Sequence, residues 1–342
     1  MNKPYEDYST YLKDKDRVGP QPLPPTRVYP PMDRALVSVA GVRDSIERAV
    51  REAVEAAGGL GAIDKGQRVL IKPSMVGPAL GSFYPGRITT NPEVLRAVIR
   101  LVKERGAHVL VGDRGLVLPR LSFITTGLAR VCKEEGAQPH LFFDYEWFQP
   151  GKRHWSRGFR RPKILGQVDH LINLPILKNH EATAAEFTGC LKNFVGVCHP
   201  RDRFQAGADA LHTNNISEKI VELNLCAKPT LNLVDATTIM VRGGPGSGIV
   251  WGDPLNRAAV WVRADLVLAS RDRVACDSVA LAAMKLHAAD RGVKREYVNK
   301  SVWNQVQIYY AAQLGLGQAD PEQIDLADVN VPRFDEIKAN WK

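Results

Sequence analysis

The chain has 342 residues, 44% of them apolar, and carries 46 Lys and Arg against 37 Asp and Glu for a net charge of +9. That length buries a large core, as about two domains or one big α/β unit, and with no run of 18 apolar residues it excludes a transmembrane helix. Five scattered cysteines fit reduced thiols and not a disulfide framework, and a first stretch without an apolar core fits no signal peptide, so a cytoplasmic location is expected.

Residues 1–34 contain Pro20, Pro22, Pro24, Pro25, Pro30 and Pro31. Prolines at that density block helix and sheet interiors and predict an extended arm. Tyr5, Tyr8 and Tyr11 could dock the arm on the body or on a neighbouring subunit, so a homo-oligomer joined through it is one expectation. An α/β rhythm then runs over 35–320. Ala35–Ala40 reads as a strand, Asp44 or Ser45 caps a helix to Ala57, and Val69–Ile71 is a buried strand. Lys72 stands at its carboxyl end, ahead of a glycine-rich loop that holds Arg87, Thr89, Thr90 and Asn91. Pro92 opens the next helix, whose N-terminus could take an anion. His108–Gly112 is a strand ending in Asp113, a helix spans Leu121–Glu135, and His140–Phe143 reads as another strand.

A basic insertion at about 145–165 interrupts the rhythm. Within it Gly151–Lys163 (GKRHWSRGFRRPK) holds six Lys and Arg and no acid. Cations interleaved with Trp155 and Phe159 could track a phosphate backbone while the rings stack on bases. No recognised nucleic-acid motif accompanies them, which disfavours that partner. The segment reads as a peripheral arm, and the positive potential is better matched to a small anionic substrate.

The most informative stretch is His170–Arg203. Leu171–Leu177 reads as a buried strand, followed abruptly by Lys178, Asn179, His180, Glu186, Thr188, Lys192, Asn193, Cys198, His199 and Arg201. A strand that runs out into such a loop is where open α/β sheets place ligands. A helix over Asn215–Ala227 and a strand Thr230–Val234 ending in Asp235 follow. Next comes a Gly243–Gly248 loop in which Gly244 and Gly246 allow close backbone approach to a ligand. Neither Walker nor dinucleotide context surrounds it. Leu266–Ala269 is a strand, Ala275–Lys285 a helix with Asp277 in its first turn, and Val302–Leu314 a last helix. Residues 321–342 read as a peripheral C-terminal tail. The expected fold is α/β, a mostly parallel sheet flanked by helices on both faces.

The segment LINLPILKNHEATAAEFTGCLKNFVGV resembles the signature of the family catalogued as domain of unknown function 362. The matching positions are Lys178-x-His180, Thr188-Gly189-x-x-Lys192-Asn193 and Gly196. VLIKPSMVG at Val69–Gly77, LVDATTIMVRGGPGSG at Leu233–Gly248 and ASRDRVACDSVALAAM at Ala269–Met284 agree with it. The resemblance covers roughly Ala35–Gly317 and implies a fold and a pocket more readily than a reaction. Many relatives carry an added ferredoxin-like module; this chain has no C-x-x-C spacing, so no intrinsic iron–sulfur cluster is expected.

The chemistry these residues permit best is proton transfer beside a carboxylate or phosphate. Lys72 and Lys192 would hold the anion, helped by Asn193, Thr188, Arg87, Gly244 and Gly246. His180 would move the proton, since imidazole titrates near neutrality, and a desolvated Lys178 would serve as second base. That set suits an epimerase, isomerase or lyase. Asp113, Asp235 and His199 are candidate ligands for a divalent metal, which stays open as a cofactor. The alternatives are a redox accessory protein and a non-catalytic binder of anions or nucleic acid.

Overall fold

The structure is a computed structural model that describes residues 34–342 apart from 79–86, 117, 152, 181–185, 205–206 and 245–258. The proline-rich arm and Gly246 lie outside the described residues. Its strands in chain order are β1 (Ala35–Gly41), β2 (Arg68–Pro73), β3 (His108–Val111), β4 (Gln138–Pro139), β5 (Tyr145–Phe148), β6 (Phe159–Pro162), β7 (His170–Leu174), β8 (Ile176–Asn179), β9 (Phe187–Thr188), β10 (Leu231–Arg242), β11 (Val260–Ser270) and β12 (Ile324–Val329). The helices that matter here are α1 (Ile46–Ala56), α2 (Pro92–Glu104), α3 (Pro119–Thr125), α4 (Leu128–Glu135), α5 (Cys190–Asn193), α6 (Ile216–Leu223), α7 (Arg273–Asp290) and α8 (Phe334–Trp341).

A ten-stranded sheet runs β12-β1-β11-β10-β7-β2-β3-β4, with β8 paired to β10 and to β9. The ladders from β10 through β7, β2 and β3 to β4 are parallel. β11 is antiparallel to both its neighbours, so Leu266–Ala269 joins the expected sheet in the opposite sense. Alternation along each strand feeds two faces. Val69 and Ile71 enter a core with Val50, Val54, Val98 and Val102 from α1 and α2. Leu70 enters the opposite core with Phe194 and Trp155. Each such Val, Leu or Ile contributes roughly 1.5–3 kcal/mol when fully buried. Helix α7 is buried on nearly every side and forms the centre of the third cluster.

Several elements differ from the sequence-based reading. The strand expected over Leu171–Leu177 breaks at Pro175, which has no amide to give to a ladder. β10 does not end at Val234 but continues to Arg242. The single helix expected over Leu121–Glu135 is two, separated at Gly127, whose φ is +81°. No strand forms over His140–Phe143; the short β4 lies just before it, at Gln138–Pro139. The tail is not peripheral: β12 pairs in parallel with β1, and α8 buries Ile337 and Trp341 against α7.

The basic insertion is corrected as well. Its Trp155 and Phe159 are fully buried in a core cluster and unavailable to stack on bases. Its cations meet acids, two of them from elsewhere in the chain: Arg160 with Asp202 at 2.7 Å and Arg157 with Asp209 at 3.4 Å, while Arg161 meets Glu146 across the same hairpin at 2.8 Å. The β5–β6 hairpin is anchored structure, not a free basic arm.

Candidate functional site

The break at Pro175 and the parallel order of β10, β7 and β2 bring three separate strand ends together. Ser74 follows β2, Lys178 lies in β8, and Asp113 follows β3. They wall a cavity of about 250 Å³ with His180, Thr188, Lys192, Asn193, Gly196 and Arg203. Thr188 faces Lys178 across the antiparallel β8–β9 ladder. Lys192 and Asn193 come from α5.

The network under the cavity is closed. Asn193 accepts from Ser74 Oγ at 2.8 Å and donates to Asn173 Oδ1 at 2.8 Å and to the Lys72 carbonyl at 3.2 Å. Asn173 donates to the Cys190 carbonyl and to Asn232 Oδ1. Asp277 of α7 receives the amides of Cys190 and Leu191 at 2.5 and 3.0 Å, so a buried carboxylate fixes the start of α5. Gly189 passes against that carboxylate, and a side chain there would collide with it.

Lys72 sits one layer below the cavity wall, fully buried, with its ammonium 2.5 Å from Asp113 Oδ2. Asp113 also receives the Gly115 amide at 2.6 Å. A Cβ on Gly196 would stand 2.6 Å from both Lys72 Nζ and Asp113 Oδ2. That close approach accounts for the glycine after Thr-Gly-x-x-Lys-Asn. Burial lowers the Lys72 pKa, Asp113 opposes the shift, and Arg203 adds to it.

Lys178 donates to the Ile88 carbonyl at 2.9 Å, and burial brings its pKa down to about 7, with Asp113 opposing and Lys72 assisting. Burial and then Lys178 hold Lys192 well below the ordinary lysine range. His180 departs from expectation: burial, followed by Lys192 and Lys178, holds it well below 6.5. Its imidazole is therefore neutral at physiological pH, and Lys178 is the group poised near neutrality. Arg203, which the sequence reading passed over, donates to the Cys198 and Gly115 carbonyls at 2.8 and 2.6 Å. Its Nη2 is buried without a hydrogen-bond partner.

Other candidates lie elsewhere. Arg87 stands over the Trp261 ring at 5.3 Å and is not among the residues walling the cavity, nor is Gly244. The three proposed metal ligands do not converge. Asp113 is neutralised by Lys72. Asp235 is saturated by the Asn91 amide at 2.7 Å and by Thr237, and its carboxylate serves as the anion at the start of α2. His199 is pushed to about 2 by burial and then by Arg160, Arg114, Arg201 and Arg203, a setting that repels a cation. Among the described residues, no three His, Cys, Asp or Glu side chains are grouped to hold a metal ion.

The fold and site define an α/β protein with a lysine-walled cavity at the carboxyl ends of parallel strands. The chain belongs to the Domain of unknown function (DUF362) family, whose model matches residues 69–282. It is 30% identical over 260 residues to the thylakoid-associated protein sll1697 of Synechocystis sp., covering 72% of each chain. Among solved structures it is similar to the lactate racemase apoprotein of Thermoanaerobacterium thermosaccharolyticum, with a TM-score of 0.40 and 15% identity. That match covers 64% of this chain and about half, 53%, of the other; a likeness at this level carries no argument about activity. Among the described residues no helix is long and apolar enough to cross a membrane.

Proposed function

We propose that the protein is an enzyme that binds a small carboxylate or phosphate in the lysine cavity and moves a proton on it, as an epimerase, isomerase or lyase does. The observation that carries this reading is the pair Lys178 and Lys192, both buried and both walling one cavity, with Lys178 titrating at about 7. Buried ammonium groups so close together are held down by desolvation and mutual repulsion, and an anion relieves both. Arg203, with a buried unpartnered Nη2 at the same wall, adds a further donor.

In this mechanism the anionic group settles between Lys192 and Arg203, with Asn193 and Thr188 beside it. Lys178 arrives neutral and takes a proton from the carbon next to the anionic group. The C–H bond breaks, its electron pair stays on that carbon, and the new ammonium offsets the charge that forms. A base with a pKa near the working pH is best matched to this step. His180 is reassigned from proton carrier to a neutral hydrogen-bonding group at the wall.

The test is exchange in D2O. Small carboxylates and phosphate esters are incubated with the protein, and deuterium at the adjacent carbon is followed by mass spectrometry. Incorporation that disappears in Lys178→Met supports the reading. No incorporation across the whole set overturns it.

A further inference from the structure

A second cavity, of about 830 Å³, lies beyond His180. Its size falls within the range of small-molecule sites. The alternation of β8 creates it: Lys178 walls only the lysine cavity, Asn179 walls only the second cleft, and His180 walls both. The larger cleft is thus placed to hold whatever extends from an anion bound among the lysines.

Its chemistry differs from that of the lysine cavity. Asn179 is only 2% exposed, and its Nδ2 donates to the Glu186 carbonyl at 2.9 Å. That bond fixes the amide, and its Oδ1 is buried without a hydrogen-bond partner; so is Glu186 Oε2. A buried acceptor without a donor carries a desolvation cost, which a ligand donor would recover. Burial also raises the Glu186 carboxyl, with Lys300 and Gln305 working against it. Glu218 and Glu296 stand in the same wall, which disfavours a second anion. Lys300, 3.7 Å from Glu296, and Arg295 disfavour a free cation. Hydroxyl groups fit best, because they donate to both acceptors and bring no charge.

We propose that this cleft binds the hydroxylated portion of the substrate whose anionic end occupies the lysine cavity. The substrate is then a polyhydroxy carboxylate or a sugar phosphate, with the reacting carbon beside His180. This rests on the reading that the lysine cavity binds an anion.

Calorimetric titration of the full chain tests it with matched probes: glycolate against a panel of aldonates, and inorganic phosphate against a panel of sugar phosphates. The best polyhydroxy anion should bind at least about tenfold tighter than its short counterpart, the equivalent of one recovered hydrogen bond to a charged or buried acceptor. Glu186→Ala should erase that advantage and leave the affinity for glycolate or phosphate as in the wild type, which also reports an intact fold. Glu186→Gln, which keeps the shape and one acceptor, should retain part of it. If no polyhydroxy anion exceeds its short counterpart, or the advantage survives in both Glu186 variants, the cleft assignment is wrong and the anion reading still stands. If neither short nor long anions bind the wild type, the anion reading itself fails and takes this one with it.

Discussion

Asp277 holds Lys192 in place without touching it. Its carboxylate takes the amides of Cys190 and Leu191, and Lys192 is the next residue along the same turn. Burial raises the Asp277 pKa to about 6, and the amides of Leu191 and Cys190 work against that shift. Asp277→Asn exchanges one acceptor oxygen for a donor that faces an amide. The expected loss is about 1.5–3 kcal/mol of stability, the range for hydrogen bonds to charged groups. Anion affinity should fall with the circular dichroism spectrum unchanged. Undiminished affinity in that variant would show that α5 holds itself.

Lys178 makes stability depend on pH with a definite sign. Its folded pKa is about 7 against an ordinary 10.5. Between those values the unfolded chain binds a proton that the folded chain does not, so stability rises as pH increases across that window. Lys178→Met removes the effect. Denaturant titrations at pH 7, 8 and 9 should show the wild type gaining up to a few kcal/mol relative to the variant's flatter profile. Parallel profiles would show that Lys178 remains an ordinary lysine.

A second depressed lysine, Lys192, couples anion binding to proton uptake. An anion in the cavity favours the ammonium form of Lys192, which burial otherwise holds well below the ordinary lysine range. Binding at neutral pH and above should therefore draw a proton from solution while Lys178 stays neutral. Calorimetry in buffers of different ionisation enthalpy measures the number taken up. A binding enthalpy that does not vary with buffer would contradict the charge assignment.

Gly196→Ala places a methyl group against the Lys72–Asp113 pair, at 2.6 Å from each partner. Backbone or ion pair must shift, and overpacking of this kind costs about 1–3 kcal/mol. Thermal unfolding should reveal the loss, and anion binding should weaken as Asp113 moves. A variant as stable as the wild type would show that the wall at Gly196 yields easily.

The β5–β6 hairpin belongs to the core, so Trp155→Ala should destabilise the whole chain by about 3–5 kcal/mol, the cost of truncating a buried aromatic. The measurement is a denaturant curve with a single transition. A stability change under about 1 kcal/mol would restore the peripheral reading.

Strands β1, β2, β3, β7 and the first half of β10 were legible because a short apolar run that stops at a polar loop is the pattern a buried strand leaves in a chain. Pairing direction was not, since an apolar run such as Leu266–Ala269 fits either sense. Asp235 read as a strand end because an unpaired acid is costly within a sheet; the groups that satisfy it, Asn91 and Thr237, become neighbours only on folding. The basic segment misled for the same reason. Its cations are contiguous, whereas Asp202, Asp209 and Glu222 arrive from distant positions. Lys178, Lys192 and Asn193 were legible as candidates, and the fold does bring them to one cavity wall, but the neutrality of His180 was not legible. It depends on cations that fold around it.

The pairing of β12 with β1 also bears on how the protein is made. β1 ends at Gly41 and its parallel neighbour begins only at Ile324. During synthesis the flank of β1 that receives β12 stays uncovered while nearly all the rest of the sheet can assemble. An uncovered strand edge is a template for pairing with another chain, and domains fold as they emerge. A ribosome stalled before Ile324 would therefore release a nearly complete sheet with one adhesive border, which makes that interval the nascent chain's greatest exposure to self-association.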